Sequence, residues 1–315
     1  MIMNIIFINK GLLMEHEHSH HHGKLQGKKL ILVTLLNLAI TVIQVIGGLI
    51  SGSLSLLSDA IHNFADSSAI FIAFAANRIS LRKANNKKTF GYKRAEIIAA
   101  LFNGSILIAV CLFLFYEAYE RFRSPEPING RIMLTVASFG LLANLISIIL
   151  LHSDKKKNLN IKTAYLHLLG DTLSSLAVIA GGVCIYFWNM TWIDPVVTVL
   201  VCCYIIYHAW IAVLETVDIL MHTVPEEINL DEIKEAIEKT EGVDNIHHIH
   251  VWKLNDSQIH FEAHINLSSN IRMKEMMSVR KDVEEVLTHN FHISHTTLQF
   301  GYNCCDNDSS ILSEH

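Results

Sequence analysis

Two short stretches carry the same spaced pair of metal-ligating residues. One, SDAIHNFADSS, places His62 four residues before Asp66; the other, YLHLLGDTLSS, places His167 four residues before Asp171. Residues at i and i+4 share a helix face, roughly 5–6 Å apart at Cβ. Each helix would therefore present one imidazole and one carboxylate toward one point. Two such helices side by side supply two nitrogens and two oxygens, a set that matches the tetrahedral preference of Zn2+. Two carboxylates also neutralise one divalent cation. Imidazole must be neutral to bind metal, so protons and Zn2+ compete at His62 and His167. If the site opens to one side and then the other, metal crossing one way exchanges for protons crossing back, the logic of an antiporter.

Blander readings exist for each residue alone. A single His in an apolar segment is often a hydrogen-bonded core residue, and a single Asp can pair with an amide such as Asn37 or Asn144. But an Asp inside a membrane span costs about 2.5–3.5 kcal/mol on insertion scales, and the matched motif incurs that cost twice. Asp59, one turn before His62, reads as a partner behind the ligands, a mouth residue or a helix-start carboxylate.

A second histidine group lies near the N-terminus, in MEHEHSHHHG. His16-Glu17-His18-Ser19-His20 matches the H-E-x-x-H of zinc proteases, but such a match arises easily in a histidine run and needs a folded context. His16, His18, His20, His21 and His22 read instead as a loose tail that collects metal ions. Both Met1 and Met14 are candidate starts. Cys304, Cys305 and His315 in the C-terminal tail are a weak soft-metal signal.

The elements that must position these residues are membrane spans. Of 315 residues, 51% are hydrophobic and only 17% charged. A mean hydropathy of +0.33 is too high for an ordinary soluble protein. Six apolar runs are each long enough to cross a bilayer: Leu30–Ile50, Leu54–Asn77, Ala95–Tyr116, Ile132–Leu151, Ile161–Trp188 and Trp192–Leu214. Lys24, Lys28 and Lys29 precede the first run; Arg78 to Arg94 and Lys155 to Lys162 fill alternate loops. The positive-inside rule then places both termini in the cytoplasm, at the inner membrane of a cell. The net charge of -5 argues against nucleic acid as a partner. Six cysteines show no disulfide framework, and those in apolar runs read as small hydrophobes.

After about Thr216 the composition turns mixed and charged. A helix is expected over Leu230–Glu241, strands over Ile246–Lys253 and Gln258–Leu267 with a turn at Asn255-Asp256, a helix over Arg272–His289 and a strand over Thr296–Tyr302. In the second strand Ile259, Phe261, Ala263 and Ile265 should face one way, and His260, Glu262 and His264 the other. The fold class is an α-helical membrane protein with six transmembrane helices plus a small cytoplasmic α+β domain, both helices on one sheet face. The expected division is a disordered tail over 1–29, a transmembrane domain over 30–214, a cytoplasmic domain over 217–302 and a polar tail over 303–315.

From Gly27 to Tyr302 the chain resembles the cation diffusion facilitator family of zinc transporters. The resemblance rests on SLLSDAIHNFADSSAI, FGYKRAEIIAALFN, YEAYERF, HLLGDTLSSLAVI, WIDP and IHHIHVWKL. It implies a ferredoxin- or metallochaperone-like cytoplasmic domain and a homodimer. It also implies export of Zn2+, with Cd2+ or Co2+ as further cargo, in exchange for protons. His62, Asp66, His167 and Asp171 fall on the family's transport site. The His-Asp form goes with Zn2+, where manganese-type members carry two Asp. His247 and His264 match positions that bind metal in some members, although Gln299 and Gly301 stand where further ligands can occur. A solvated or dimer-packing face accounts for the same two histidines, and His248 and His250 read as structural. The leading function is thus a secondary transporter and not an enzyme. The alternatives are a membrane metal sensor or scaffold working through its cytoplasmic domain, and a membrane-anchored protease.

Overall fold

The computed structural model describes residues 22–152 and 159–303. Six long helices come first: α1 (His22–Ser51), α2 (Leu54–Ser80), α3 (Ala95–Arg123), α4 (Gly130–His152), α5 (Leu159–Trp188) and α6 (Ile193–Leu220). Then follow α7 (Leu230–Glu238), β1 (Val243–Asn255), β2 (Gln258–Leu267), α8 (Met273–Phe291) and β3 (His295–Gly301). The described residues form two compact units, one within Met1–Arg82 and Ile98–Leu214, the other within Lys83–Ile97 and Glu215–His315.

Five of the long helices are long and apolar enough to cross a membrane by length and composition. The exception, α2, carries Asp59, His62, Asn63 and Asp66, all at most 7% exposed. The helical unit is inside out relative to a soluble bundle. Leu49, Phe71, Phe102 and Leu173 are 67–74% exposed, while Asp59, Asp171 and Asp194 are at most 1% exposed. Polar groups turn inward because hydrocarbon offers them no hydrogen bonds.

A shared core of Leu56, Cys111, Met133, Val178, Cys202 and Ile205 joins α2 through α6. Helix α1 packs on α2 and α4, α4 packs on α5, and α2 meets α5. Close approach of α1 and α4 depends on Gly140, where a Cβ would sit 2.5 Å from Gln44 Nε2. Cys203, in contrast to Cys111 and Cys202, is exposed.

Helix α1 starts at His22, ahead of the apolar run, and α6 runs on to Leu220. Backbone hydrogen bonding carries both beyond the hydrophobic stretch that marks them in sequence.

The second unit has the expected α-β-β-α-β order. Its three-stranded sheet runs β1-β2-β3, with β1 antiparallel to β2 and β2 parallel to β3. One face is covered by Ile233 and Ile237 of α7 and by Val279, Val283 and Leu287 of α8. Ile259, Phe261, Ala263 and Ile265 point into that core. Helix α7 ends at Glu238, short of Glu241, because the chain turns over Thr240 and reaches Gly242 at φ +89° before β1.

Candidate metal centre

Helices α2 and α5 bring the two H-x-x-x-D motifs together. His62 Nε2 lies 3.2 Å from Asp171 Oδ1, and His62 Nδ1 lies 3.5 Å from Asp66 Oδ2. His167 Nε2 lies 3.1 Å from Asp66 Oδ2 and 3.6 Å from Asp171 Oδ2. With metal–ligand bonds of about 2.0–2.1 Å, tetrahedral donors sit about 3.3–3.4 Å apart, so the 3.1–3.6 Å spacings that link His62 Nδ1, Asp66 Oδ2, His167 Nε2 and Asp171 Oδ2 suit donors to one ion, while His62 Nε2 turns to Asp171 Oδ1 as a hydrogen-bond partner. Donor atoms of His62, Asp66 and Asp171 all fall within 4.8 Å of one another. His167 joins through the two carboxylates, its ring centroid 5.9 Å from that of His62.

Burial makes the arrangement informative. His62, Asp66 and Asp171 are 7%, 6% and 1% exposed. His62 Nδ1, Asp66 Oδ2, His167 Nε2 and Asp171 Oδ2 each lack a hydrogen bond of acceptable geometry. An unsatisfied buried polar atom costs about 1–3 kcal/mol, and four of them converge here. Either one divalent cation or two protons on the imidazoles brings two carboxylates and two histidines to neutrality. The same donors can thus hold metal or protons, each excluding the other.

Asp59 stands apart from that cluster. Its carboxylate accepts hydrogen bonds from Ser174 Oγ at 2.6 Å, Gln44 Nε2 at 2.7 Å and Ser175 Oγ at 3.3 Å. It therefore ties α1, α2 and α5 together one turn from the His62, Asp66, His167 and Asp171 cluster. Gln44 also accepts from Asn63 Nδ2 at 3.0 Å. The stripe continued by Ser174 and Ser175 serves this network. Asn144 reaches Ser175 at 3.5 Å rather than pairing with a ligand carboxylate.

Three contributors have no role assigned from the sequence. Gln44 is one of three side-chain amides in α1, with Gln26 and Asn37, and no spacing singles it out. Tyr204 of α6 stands edge-on to His62, 6.4 Å between centroids, and its hydroxyl fills the space beside Gly170, where a Cβ would come within 2.5 Å of it. Asp194, within WIDP, is fully buried at the start of α2. It accepts from Ser53 Oγ and Ser55 Oγ at 2.6 Å, Leu54 N at 2.7 Å and Ser55 N at 3.2 Å. A carboxylate at a helix N-terminus meets unpaired N–H groups and the positive end of the dipole. This anchor sets where α2 begins, and so where His62 and Asp66 stand. The sequence marks Asp194 as an acidic residue beside Pro195 within the WIDP motif, but nothing in that motif says which helix it caps.

In the second unit, His247 and His264 are paired across β1 and β2, their rings edge-on at 5.5 Å. His247 is 6% exposed, and its Nδ1 lies 3.1 Å from Asn245 Oδ1. Gln299 sits beside His264 in the β2–β3 register, and Gly301 beside Asn266. His260 is packed, not solvated, among Trp252, His295 and Phe90. His16, His18, His20 and His21 lie outside the described residues, and His22 is the first residue of α1.

Comparison with known proteins identifies the family. Residues 30–221 match the family model of the cation efflux transmembrane domain. Residues 225–300 match that of the cation efflux protein cytoplasmic domain. A "Cadmium, cobalt and zinc/H(+)-K(+) antiporter" of Bacillus subtilis is 35% identical, covering 94% of this chain and 96% of the relative. The "Zinc transporter ZitB" of Pectobacterium atrosepticum is 36% identical over 94% and 91% of the two chains. The "Metal cation efflux system protein CzcD" of Cupriavidus metallidurans is 36% identical over 92% and 91%. A buried histidine–carboxylate centre in a bundle of apolar helices, followed by a matching cytoplasmic domain, places the chain in the cation efflux family of multi-pass membrane transporters, which are not enzymes.

Proposed function

We propose that this protein exports Zn2+ from the cytoplasm, with Cd2+ and Co2+ as further cargo, in exchange for protons. The observation that carries the proposal is the convergence of four unsatisfied buried atoms, one each from His62, Asp66, His167 and Asp171. Two imidazoles suit Zn2+ better than harder ions such as Mn2+. In this reading these four residues are the transport site, loaded from one side of the membrane and emptied to the other. The names of the relatives, which include zinc, cadmium, cobalt and protons, support the same choice of cargo.

The basic loops argue for cytoplasmic termini in an inner membrane. The chain divides into an N-terminal tail, a transmembrane domain, a cytoplasmic domain and a polar C-terminal tail, and two copies act as a homodimer through the cytoplasmic domain. His247 and His264 have an accessory metal-holding role there. His16, His18, His20, His21 and His22 collect metal near the inner mouth.

The test is zinc uptake by proteoliposomes under imposed pH gradients of either sign. The protein should drive Zn2+ against its gradient when protons run the other way, and Asp66→Ala should abolish this. Full activity in Asp66→Ala, or zinc flux indifferent to the pH gradient, overturns the proposal.

A further inference from the structure

Between α2 and α3 the chain concentrates positive charge. From Arg78 to Arg94 there are seven Lys and Arg residues and no Asp or Glu, although the whole protein carries a net charge of -5. Some of these cations have partners. Arg78 lies over the Phe74 ring, Arg94 meets His222, and Lys93 stands near His260. Lys83, Lys87 and Lys88 are exposed, and among the described residues none of the three pairs with a carboxylate. The preference of basic loops for one side of a membrane accounts for their charge. It does not account for the fixed way in which they are held.

A tight turn carries the lysines. Asn85 N donates to Lys88 O at 3.1 Å, and Lys88 N donates to Asn85 O at 3.0 Å. Asn85 Oδ1 also accepts from Lys87 N at 2.9 Å and Lys88 N at 3.0 Å, the local capping that suits Asn to turns. Gly91, at φ +71°, closes the next bend by donating to Lys88 O at 2.9 Å. Lys88 Nζ sits 4.2 Å from the centre of the Tyr92 ring, which orients the ammonium but supplies no counter-ion. Like charges held together on an ordered turn repel each other unless an anion lies over them.

The neighbouring surface says where that anion is. Phe71, Phe74 and Leu81 of α2 and its C-cap are 74%, 48% and 66% exposed, an apolar face suited to hydrocarbon. The chain advances at most about 3.3–3.6 Å per residue, so Lys83 stays within roughly 7 Å of Leu81 and Asn85 within roughly 14 Å. The headgroup layer is about 5–7 Å deep on each side of a bilayer. Lysine stems lie along apolar surface while their ammonium groups reach for polar surroundings. We propose that Lys83, Lys87 and Lys88 form a binding surface for the phosphate groups of anionic phospholipids at the membrane surface where α2 ends. Each lysine beside an anionic surface strengthens binding about fivefold, and salt screens the effect. The surface is independent of the metal centre.

The test uses the full-length protein in nanodiscs, which leave both membrane surfaces open. Discs are made of phosphatidylcholine alone or with phosphatidylglycerol mixed in. A neutral N-hydroxysuccinimide acetate acetylates lysines, and mass spectrometry gives the rate at each one. Phosphatidylglycerol should slow acetylation of Lys83, Lys87 and Lys88 about fivefold or more, with the protection lost at high salt. Lys239 and Lys281, each with a side chain 76% exposed, should react alike in both discs. Lys87→Gln with Lys88→Gln should weaken the protection of Lys83, whereas Lys87→Arg with Lys88→Arg should keep it. The proposal is overturned if the three lysines react equally in both discs, or if Lys239 and Lys281 are protected as strongly. It is also overturned if soluble glycerophosphate protects them in phosphatidylcholine discs, which would make the ligand a free phosphate. Zinc transport does not enter this readout, so its outcome is separate from that of the transport reading.

Discussion

Removing the Asp194 carboxylate should loosen the start of α2 and, through it, the proposed transport site. Asp194 is fully buried and accepts four hydrogen bonds, two from the backbone N–H groups of Leu54 and Ser55 and two from the hydroxyls of Ser53 and Ser55. In Asp194→Ala the two N–H groups lose their partner, at about 1–3 kcal/mol each. The two hydroxyls already lie 3.2 Å apart and can turn to each other, so they add little. Losing a negative charge at a helix N-terminus adds about 0.3–2 kcal/mol. Part of this is offset because a buried carboxylate no longer has to be desolvated, which leaves a net destabilisation of roughly 2–4 kcal/mol. Asp194→Asn keeps one acceptor oxygen but points an amide donor at a backbone donor, so its loss should fall between alanine and the parent. The assay is thermal unfolding of the detergent-solubilised protein, beside zinc binding at the proposed transport site. Melting should fall in the order parent, Asn, Ala, with zinc affinity falling in step as His62 and Asp66 lose their position. If both variants melt with the parent, the carboxylate does not anchor α2 and this reasoning fails.

Other outcomes follow from the same contacts. Gly140→Ala would place a Cβ 2.5 Å from Gln44 Nε2, displacing the amide from Asp59; stability should drop by about 1–3 kcal/mol, read by thermal unfolding, whereas Gly182→Ala, whose Cβ would make ordinary contacts at 3.6 Å or more, should be mild. His62→Asp replaces an imidazole by a harder oxygen donor; competition assays in proteoliposomes should show Zn2+ losing ground to Mn2+, and an unchanged preference would mean that His62 does not select the ion. The pH dependence of folding has a defined sign. Burial lowers His222, His260 and His264 below the ordinary histidine value, helped respectively by Arg94, by His295 and Lys93, and by His248 and His247, with Glu262 opposing at His264. The unfolded chain then binds more protons as pH drops through about 6.5, so these groups reduce stability in that direction. Melting of the full-length protein should fall between about pH 8 and about pH 5.5, and replacing His260 and His264 by glutamine should flatten that slope.

The amino-acid sequence by itself determined the parts of this protein that follow from periodicity and composition. Apolar runs of bilayer length mark helices because each segment must satisfy its own backbone in hydrocarbon. The i, i+4 spacing of His62 with Asp66 and of His167 with Asp171 follows from the helical repeat alone. Alternation in β2 correctly separates Ile259, Phe261, Ala263 and Ile265 from His260, Glu262 and His264. Tertiary structure decided what depends on residues far apart in the chain. That α2 lies against α5, so that two pairs become one centre, is a matter of packing. Asp59 could be a partner behind the ligands, a mouth residue or a helix-start carboxylate until Gln44, Ser174 and Ser175 were seen around it. Asp194 lies about 140 residues from the backbone amides it caps, a distance no local pattern spans. A β-bulge at His248, between the paired residues His247 and His250, breaks the very alternation used to read a strand and brings His248 within 3.3 Å of His250. Local repeats place side chains on faces; only the folded chain determines which faces meet.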